Sequence, residues 1–496
     1  MPGSIDAHMR ETDAFSWTME QDPRLRMTIV LLAVLDGTPA MPVLADRLER
    51  ISRVAPMFRQ RVIEPALHLA PPMFVVDPDF DLDWHLRCVE AAEPKTLASV
   101  LELAAKIGTT AFDPMRALWE CTVVEGLKDG RSAVILKVHH TLTDGVGGME
   151  LLRHLFDARP DGLDLRPLPP LPPPPSPDSG SLRETLTFNG RQVLEIGRFV
   201  AGTSLRTMAR AARHPVGTAN GVIATARSVA EVLAPANNTL SPVMRSRGLR
   251  RRYMLLEAPT DRMKAAGHAA GGTLNDAFVA AVTGGLRIYH QGHGRPVNQL
   301  RGTLPINLRA DGDAVAGNRI ALIRYVVPID VTNPAERIRL IGARVAHLRA
   351  EPALAHVEGL FGAVNRLPAA YLQGMAKHVD FVASNVPGLR EQIYCAGVPV
   401  EAYYAFSPTG GSSLNATLIS YGDTCCVGVN LDTAAVPDGD VMIRCLRAGF
   451  DEVLTLADKA HPMPSAKSTV PHQRQAPRAT RQNWPARPTE RRLPTA

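Results

Sequence analysis

The stretch ILKVHHTLTDGVGGM, Ile135 to Met149, is an apolar run ending in two adjacent histidines, with an aspartate four residues beyond the second and three glycines close behind. A short apolar run bounded by turn residues reads as a buried strand, here Ser132 to Val138. Successive strand side chains face opposite sides, so His139 and His140 should not share one site: one packs and the other faces a cavity. An imidazole there can take a proton at neutral pH and return it later, because its ordinary pKa lies near ~6.5. Asp144 has two open roles. It could orient that imidazole as in a hydrolase triad, or pair with an arginine and bond backbone amides to fix the turn, which the adjoining Gly145 favours. A metal site is disfavoured, since metals take ligands from one face and adjacent strand histidines diverge. No G-x-S-x-G elbow supplies a serine nucleophile, so direct attack by a substrate hydroxyl or amine is the simpler chemistry.

Outward from this stretch, strands and helices mix along the whole chain. Met27 to Leu35 reads as another buried strand, and MPVLADRLERISRVAPMF and KTLASVLELAAKIGTTAF carry apolar residues at helical spacing. Residues 160–180, PDGLDLRPLPPLPPPPSPDSG, have a proline density that forbids helix or central strand and favours a semi-rigid extended linker. Beyond it, Leu182 to about Leu233 is helical in pattern and studded with Arg183, Arg191, Arg198, Arg206, Arg210 and Arg213. GGTLNDAFVAAVTGGLRIYH reads as a helix capped near Thr273 or Asn275, and PAERIRLIGARVAHLRA as another helix. LRGTLPINLR, RIALIRYVVPID, DFVASNVPG and CCVGVNLD read as strands. The expectation is an α/β protein of two comparable units, residues 1–159 and 181–460, joined by the 160–180 linker, with a tail over 461–496 too poor in apolar residues to fold alone.

The net charge of +6 raises the question of a nucleic-acid partner, and its location answers it. The tail holds seven basic residues against Glu490; removing these from 55 basic and 49 acidic residues leaves 48 of each sign in residues 1–460. The excess belongs to an appendage, and no nucleic-acid function is expected. Six cysteines without a CxxC pair fit a reduced, cytoplasmic setting. The N-terminus lacks a signal-peptide pattern and MTIVLLAVL is far shorter than the ~20 residues needed to span a bilayer, so any membrane contact is expected to be peripheral.

The run His139-His140-Thr141-Leu142-Thr143-Asp144-Gly145 resembles the HHxxxDG signature shared by the coenzyme A-dependent acyltransferase superfamily and the condensation domains of peptide synthetases. Its neighbours discriminate. ALWE (Ala117 to Glu120), LNDAFVAAV (Leu274 to Val282), LPINLR (Leu304 to Arg309), GNRI (Gly317 to Ile320) and SNVPG (Ser384 to Gly388) resemble, in order, motifs of bacterial wax ester synthase/acyl-CoA:diacylglycerol acyltransferases. The likeness runs from ETDAFSWTME, an approximate match, to GFDEVLTLAD. It departs at Ala117, where the family usually shows proline; lying well away in sequence from the histidines, Ala117 is expected to affect local turn geometry more than catalysis.

The resemblance implies two chloramphenicol acetyltransferase-like mixed-sheet domains with a tunnel at their interface. It implies His140 as general base, His139 as a supporting neighbour, and Asp144 with Gly145 shaping the loop, Arg309 being a candidate partner for Asp144. Asn275 and Asp276, or Ser384 and Asn385, become candidates for meeting the oxyanion or positioning substrate. The implied substrates are long-chain acyl-CoA with diacylglycerol or a fatty alcohol, with no resident cofactor or metal. The alternatives are a condensation-type or polyketide-associated acyltransferase using a carrier-bound donor, and a non-catalytic lipid-droplet-binding homologue. The basic tail and arginine-studded segment suggest docking on the inner membrane face or on lipid droplets.

Overall fold

The computed structural model describes residues 7–65, 70–142, 148, 152–162, 167–174, 179–190, 238–307, 320–350, 365 and 367–460, with backbone alone for 7, 304–307, 320–323, 375 and 459–460. Two large mixed sheets organise them. The first has the order β5 (Leu86–Glu90), β6 (Trp119–Glu125), β7 (Ser132–His139), β2 (Thr28–Leu35), β14 (Val398–Phe406), β13 (Tyr394–Cys395) and β8 (Phe156–Asp157). Only its β5–β6 pair is parallel among the described strands. The second has the order β11 (Ile320–Pro328), β10 (Gln299–Asn307), β12 (Phe381–Leu389), β15 (Leu414–Tyr421), β16 (Thr424–Asp432) and β9 (Arg251–Pro259), with β12 parallel to both neighbours. A small sheet joins β1 (Ala7–His8), β4 (Met73–Val76) and β3 (Gln60–Ile63).

β2 and β7 are central and covered on both faces, which is why their sequences run apolar without polar alternation. Helix α1 (Glu11–Glu20) precedes β2, and α2 (Met41–Val54) buries Leu44, Leu48 and Ile51 at helical spacing. Helix α3 (Leu97–Thr109) lies on β2 and β7 and reaches across to β9. Over the second sheet, α4 (Thr260–Ala269), α5 (Leu274–Gly292), α6 (Pro334–Arg349) and α8 (Gly439–Ala460) pack together, with α5 against α8 the most extensive pairing; α7 (Ala369–Ala376) sits beside α1. Each sheet has its own hydrophobic core.

The division at residue 159 does not partition the sheets as the sequence suggests. Residues 394–406, from the second half of the chain, supply β13 and β14 to the first sheet, with Phe406 opposite Val30. This strand exchange seals the halves. Tyr253 of β9 stacks on Phe406 at 4.1 Å, and Gly428 of β16 passes so close to β14 that a Cβ there would overlap the Ala405 carbonyl oxygen. Residues 7–460 accordingly belong to one compact unit. The linker is anchored: Arg50 and Arg53 of α2 donate to the carbonyl oxygens of Pro167 and Pro169 at 3.4 and 3.1 Å. The helix expected from Leu182 is present over 182–190; its continuation with Arg191 to Arg213, and the tail, lie outside the described residues.

Candidate active site

β7 delivers the histidines. Its register places Thr28 opposite His139 on one side and Trp119 opposite Val138 on the other. At its end the His139 N–H donates to the Leu118 carbonyl oxygen (3.0 Å) and the His140 N–H to that of Met27 (2.8 Å), while the Leu142 N–H closes a turn on the His139 carbonyl oxygen. The ALWE stretch, remote in sequence, is therefore a direct neighbour of the histidines, and Ala117, itself buried, touches this site through Leu118.

The two imidazoles have different surroundings. His139 is fully buried. Its Nδ1 accepts from the Thr141 N–H at 3.2 Å and lies 2.8 Å from Thr141 Oγ1. An accepting Nδ1 leaves the neutral ring's proton on Nε2, which faces Glu20 Oε2 at 3.5 Å. Trp17 and Phe112 flank the ring edge-on, with centroids 5.7 and 5.8 Å away. His140 lies past the strand end and is half-buried.

Glu20 closes α1 and ties these pieces together. Its Oε2 accepts from the Met27 N–H at 2.7 Å and its Oε1 from Arg26 at 2.8 Å. Burial alone would raise its pKa, but His139, the Met27 amide and Arg26 outweigh it and hold the carboxyl below the usual range. Two residues back on the His139 face, Lys137 is also buried; its Nζ donates to Glu120 at 2.9 Å and lies 4.0 Å from the Phe112 ring centre. Burial pulls the Lys137 pKa down, with Glu120 opposing it. Glu120, the acid of ALWE, also accepts from Arg87 at 3.0 Å.

The remaining sequence candidates are dispersed. Asp144, Gly145 and Arg309 lie outside the described residues. Asn275 and Asp276 occupy the first turn of α5, where Asp276 accepts from the Thr273 N–H (2.9 Å) and hydroxyl (2.8 Å) while Thr273 Oγ1 accepts from the Asp276 N–H (3.3 Å). This capping box engages the Asp276 carboxylate at the helix end. Asn275, half-buried beside it, has amide donors. Ser384 and Asn385 stand on β12 of the second sheet, opposite Thr417 and Leu418; Ser384 is half-buried and Asn385 exposed. Residue patterns did not single out Glu20, Trp17, Phe112 or Lys137. The signals available were the ETDAFSWTME match and a lysine interrupting an apolar run.

Residues 9–278 match the family described as wax ester synthase/diacylglycerol acyltransferase catalytic domain, and residues 316–453 match its C-terminal domain. The chain belongs to this family. It is an acyltransferase.

Among relatives, a Mycobacterium tuberculosis H37Rv protein assigned by name to the diacylglycerol O-acyltransferases is 37% identical over 88% of this chain and 90% of its own. Another from the same strain, tgs2, also so assigned by name, is 30% identical over 76% of this chain and 82% of its own. Among solved structures, the wax ester synthase/diacylglycerol acyltransferase from Marinobacter aquaeolei VT8 superposes with a TM-score of 0.59 at 23% identity, covering 91% of this chain and 100% of that one. The first condensation domain of the CDA synthetase gives 0.60 at 16% identity, covering 92% and 97%. These likenesses establish the chloramphenicol acetyltransferase-like fold of the family member described here, and the two large sheets are its two halves.

Proposed function

We propose that this acyltransferase moves a long-chain acyl group from acyl-CoA to the free hydroxyl of diacylglycerol, with fatty alcohols as a second acceptor class and His140 as general base. The observation that carries the reading is the divergence of the two imidazoles: His139 is sealed among Thr141, Glu20, Trp17 and Phe112, whereas His140 emerges half-buried beyond the strand. In the reaction, the His140 imidazole takes the acceptor hydroxyl proton as the oxygen adds to the thioester carbonyl. The tetrahedral intermediate collapses with cleavage of the carbon–sulfur bond, and the imidazolium gives its proton to the departing CoA thiolate. A general base of this kind contributes roughly 10²- to 10⁴-fold. Asp144, Gly145 and Arg309 are proposed to shape the loop behind His140, and Asn275, Ser384 and Asn385 to position substrate or donate to the oxyanion. The scheme needs no resident cofactor or metal.

The names of the mycobacterial relatives support diacylglycerol as acceptor. Among the described residues no helix is long and apolar enough to cross a membrane, so access to an oily acceptor is proposed to come by peripheral docking at the cytoplasmic membrane face or a lipid droplet through the basic tail. The test incubates purified protein and a His140→Ala variant with labelled palmitoyl-CoA and a panel of diacylglycerol, fatty alcohols and short alcohols. Triacylglycerol formation by the wild type and its loss in the variant are expected. Equal turnover by both would end the His140 mechanism, and deletion of 462–496 without loss of vesicle binding would remove the tail from the docking scheme.

A further inference from the structure

The turn from Asp22 to Met27 joins α1 to β2, and its last residue holds His140: the Met27 carbonyl oxygen accepts the His140 N–H at 2.8 Å. Asp22 builds this turn. Its Oδ1 accepts the Arg24 N–H at 3.0 Å, capping the 3₁₀ turn Pro23–Leu25, and the Leu25 N–H closes on the Asp22 carbonyl oxygen at 2.8 Å. Leu25 is thereby driven inward, where it packs with Met19 and Met27.

Residues from the second half of the chain grip the same turn at separate points. Lys377, the residue after α7, places its Nζ 2.6 Å from Asp22 Oδ2, which Arg24 also reaches at 2.9 Å. Arg251, at the start of β9, donates to the Arg24 carbonyl oxygen at 2.7 Å. Leu372 of α7 completes the apolar cluster around Leu25 and Met27. Gly411 fits closely between them: a Cβ there would lie 2.9 Å from Leu25 Cδ2 and 2.6 Å from the Ala376 carbonyl oxygen.

Lys377 stands apart among these contacts. The cap and the Arg24 pair are local and suffice to shape the turn, so the lysine adds only a tie to the second half. Its side chain is 21% exposed and that of Asp22 8%, which screens the pair from water far more than an ordinary surface pair. Arg24, with Lys377 adding to it, holds the Asp22 carboxyl below the usual carboxylate range, so it is ionised at neutral pH.

We propose that Asp22 and Lys377 are positioning residues for His140: their ion pair ties the turn that carries Met27 to the second half, and Met27 in turn sets the His140 backbone. This rests on the reading of His140 as general base. The base comes from the first half, whereas Asn275, Ser384 and Asn385 come from the second, so the reaction depends on the registry that the pair fixes between them.

The test measures turnover of palmitoyl-CoA and diacylglycerol by the full chain. Lys377→Met keeps the stem and removes the charge; Asp22→Asn keeps a capping oxygen and removes the partner. Each should lower kcat by about ten- to a hundredfold, the scale of an ångström-sized misplacement, with KM for both substrates within about twofold. The double variant should lose no more than either single one. Lys377→Arg should restore most of the turnover. Arg262→Met, which breaks the exposed Arg262–Asp458 pair, is the control and should leave kcat unchanged. Added to His140→Ala, Lys377→Met should cost nothing further, because the pair acts through that residue. Full kcat in Lys377→Met, or a loss that Lys377→Arg does not restore, overturns the positioning role and leaves His140 as base. A raised KM with kcat intact, or the same fold-loss in the His140→Ala background, overturns it in favour of a role in binding or folding. Full turnover by His140→Ala alone ends the base reading and this inference together.

Discussion

Glu20 Oε2 lies 3.5 Å from His139 Nε2 while accepting the Met27 N–H, and the Met27 carbonyl oxygen accepts the His140 N–H. One half-buried carboxylate at the end of α1 thus reaches both histidines, the first through its ring and the second through its backbone. The N-terminal helix fixes the strand end that presents His140, although more than a hundred residues separate them in sequence.

The Glu20 carboxyl is held below its ordinary value of 4.5, so it contributes stability above that value. That contribution is lost as pH falls through the lower folded pKa, because protonation then favours the unfolded chain. Glu20→Gln should destabilise the protein at pH 7 by about 1–3 kcal/mol, the scale of hydrogen bonds to a charged group. Urea denaturation of both proteins from pH 7 down to pH 3 should show the gap closing in acid. A gap constant across that range would mean the charge is not what matters.

His139→Ala and His140→Ala should separate stability from chemistry. The first empties a fully buried site and strands the Thr141 N–H and Glu20, costing about 2–4 kcal/mol. The second removes a half-buried ring at a cost near about 1 kcal/mol or less, but lowers kcat by roughly 10²- to 10⁴-fold. Calorimetry and turnover on both variants check this, and the reverse pattern would exchange the roles assigned to the pair.

In the SNVPG stretch, Gly388 is required by a close approach. β12 shifts register against β15 between Val386 and Leu389, and a Cβ at 388 would overlap the Ser420 carbonyl oxygen. Gly388→Ala must therefore push backbone apart, and a loss of about 2–4 kcal/mol is expected. An unchanged melting temperature would show that the strand can yield there.

Much of this architecture was legible because its signals are local. Buried strands such as Thr28–Leu35 and Ser132–His139 are continuous apolar runs, and Thr273 announces α5 by capping chemistry. The divergence of His139 and His140 follows from strand geometry alone. What could not be read depends on pairing between distant segments. Nothing in residues 398–406 says that they complete the first sheet, since a strand's partner is set by the register of others. The same holds for Ala117 and Glu20, whose nearness to the histidines arises only when β6 and α1 dock. Asp276 is the opposite case: its bond to Thr273 is local, three residues apart, and so within reach of sequence.

The first turn of α5 offers a prediction that divides adjacent residues. Thr273→Ala and Asp276→Ala each break the capping box and should cost about 1 kcal/mol, read as a lower unfolding midpoint with kcat nearly unchanged. Asn275 makes no part of that cap, so Asn275→Ala should leave stability within about 0.5 kcal/mol. If its amide meets the oxyanion, kcat falls by roughly 10²- to 10³-fold with little change in KM, because the interaction forms only as charge develops on the carbonyl oxygen. A large loss of kcat in Asp276→Ala with full turnover in Asn275→Ala would invert the assignment, placing the aspartate in the reaction and its neighbour in the scaffold.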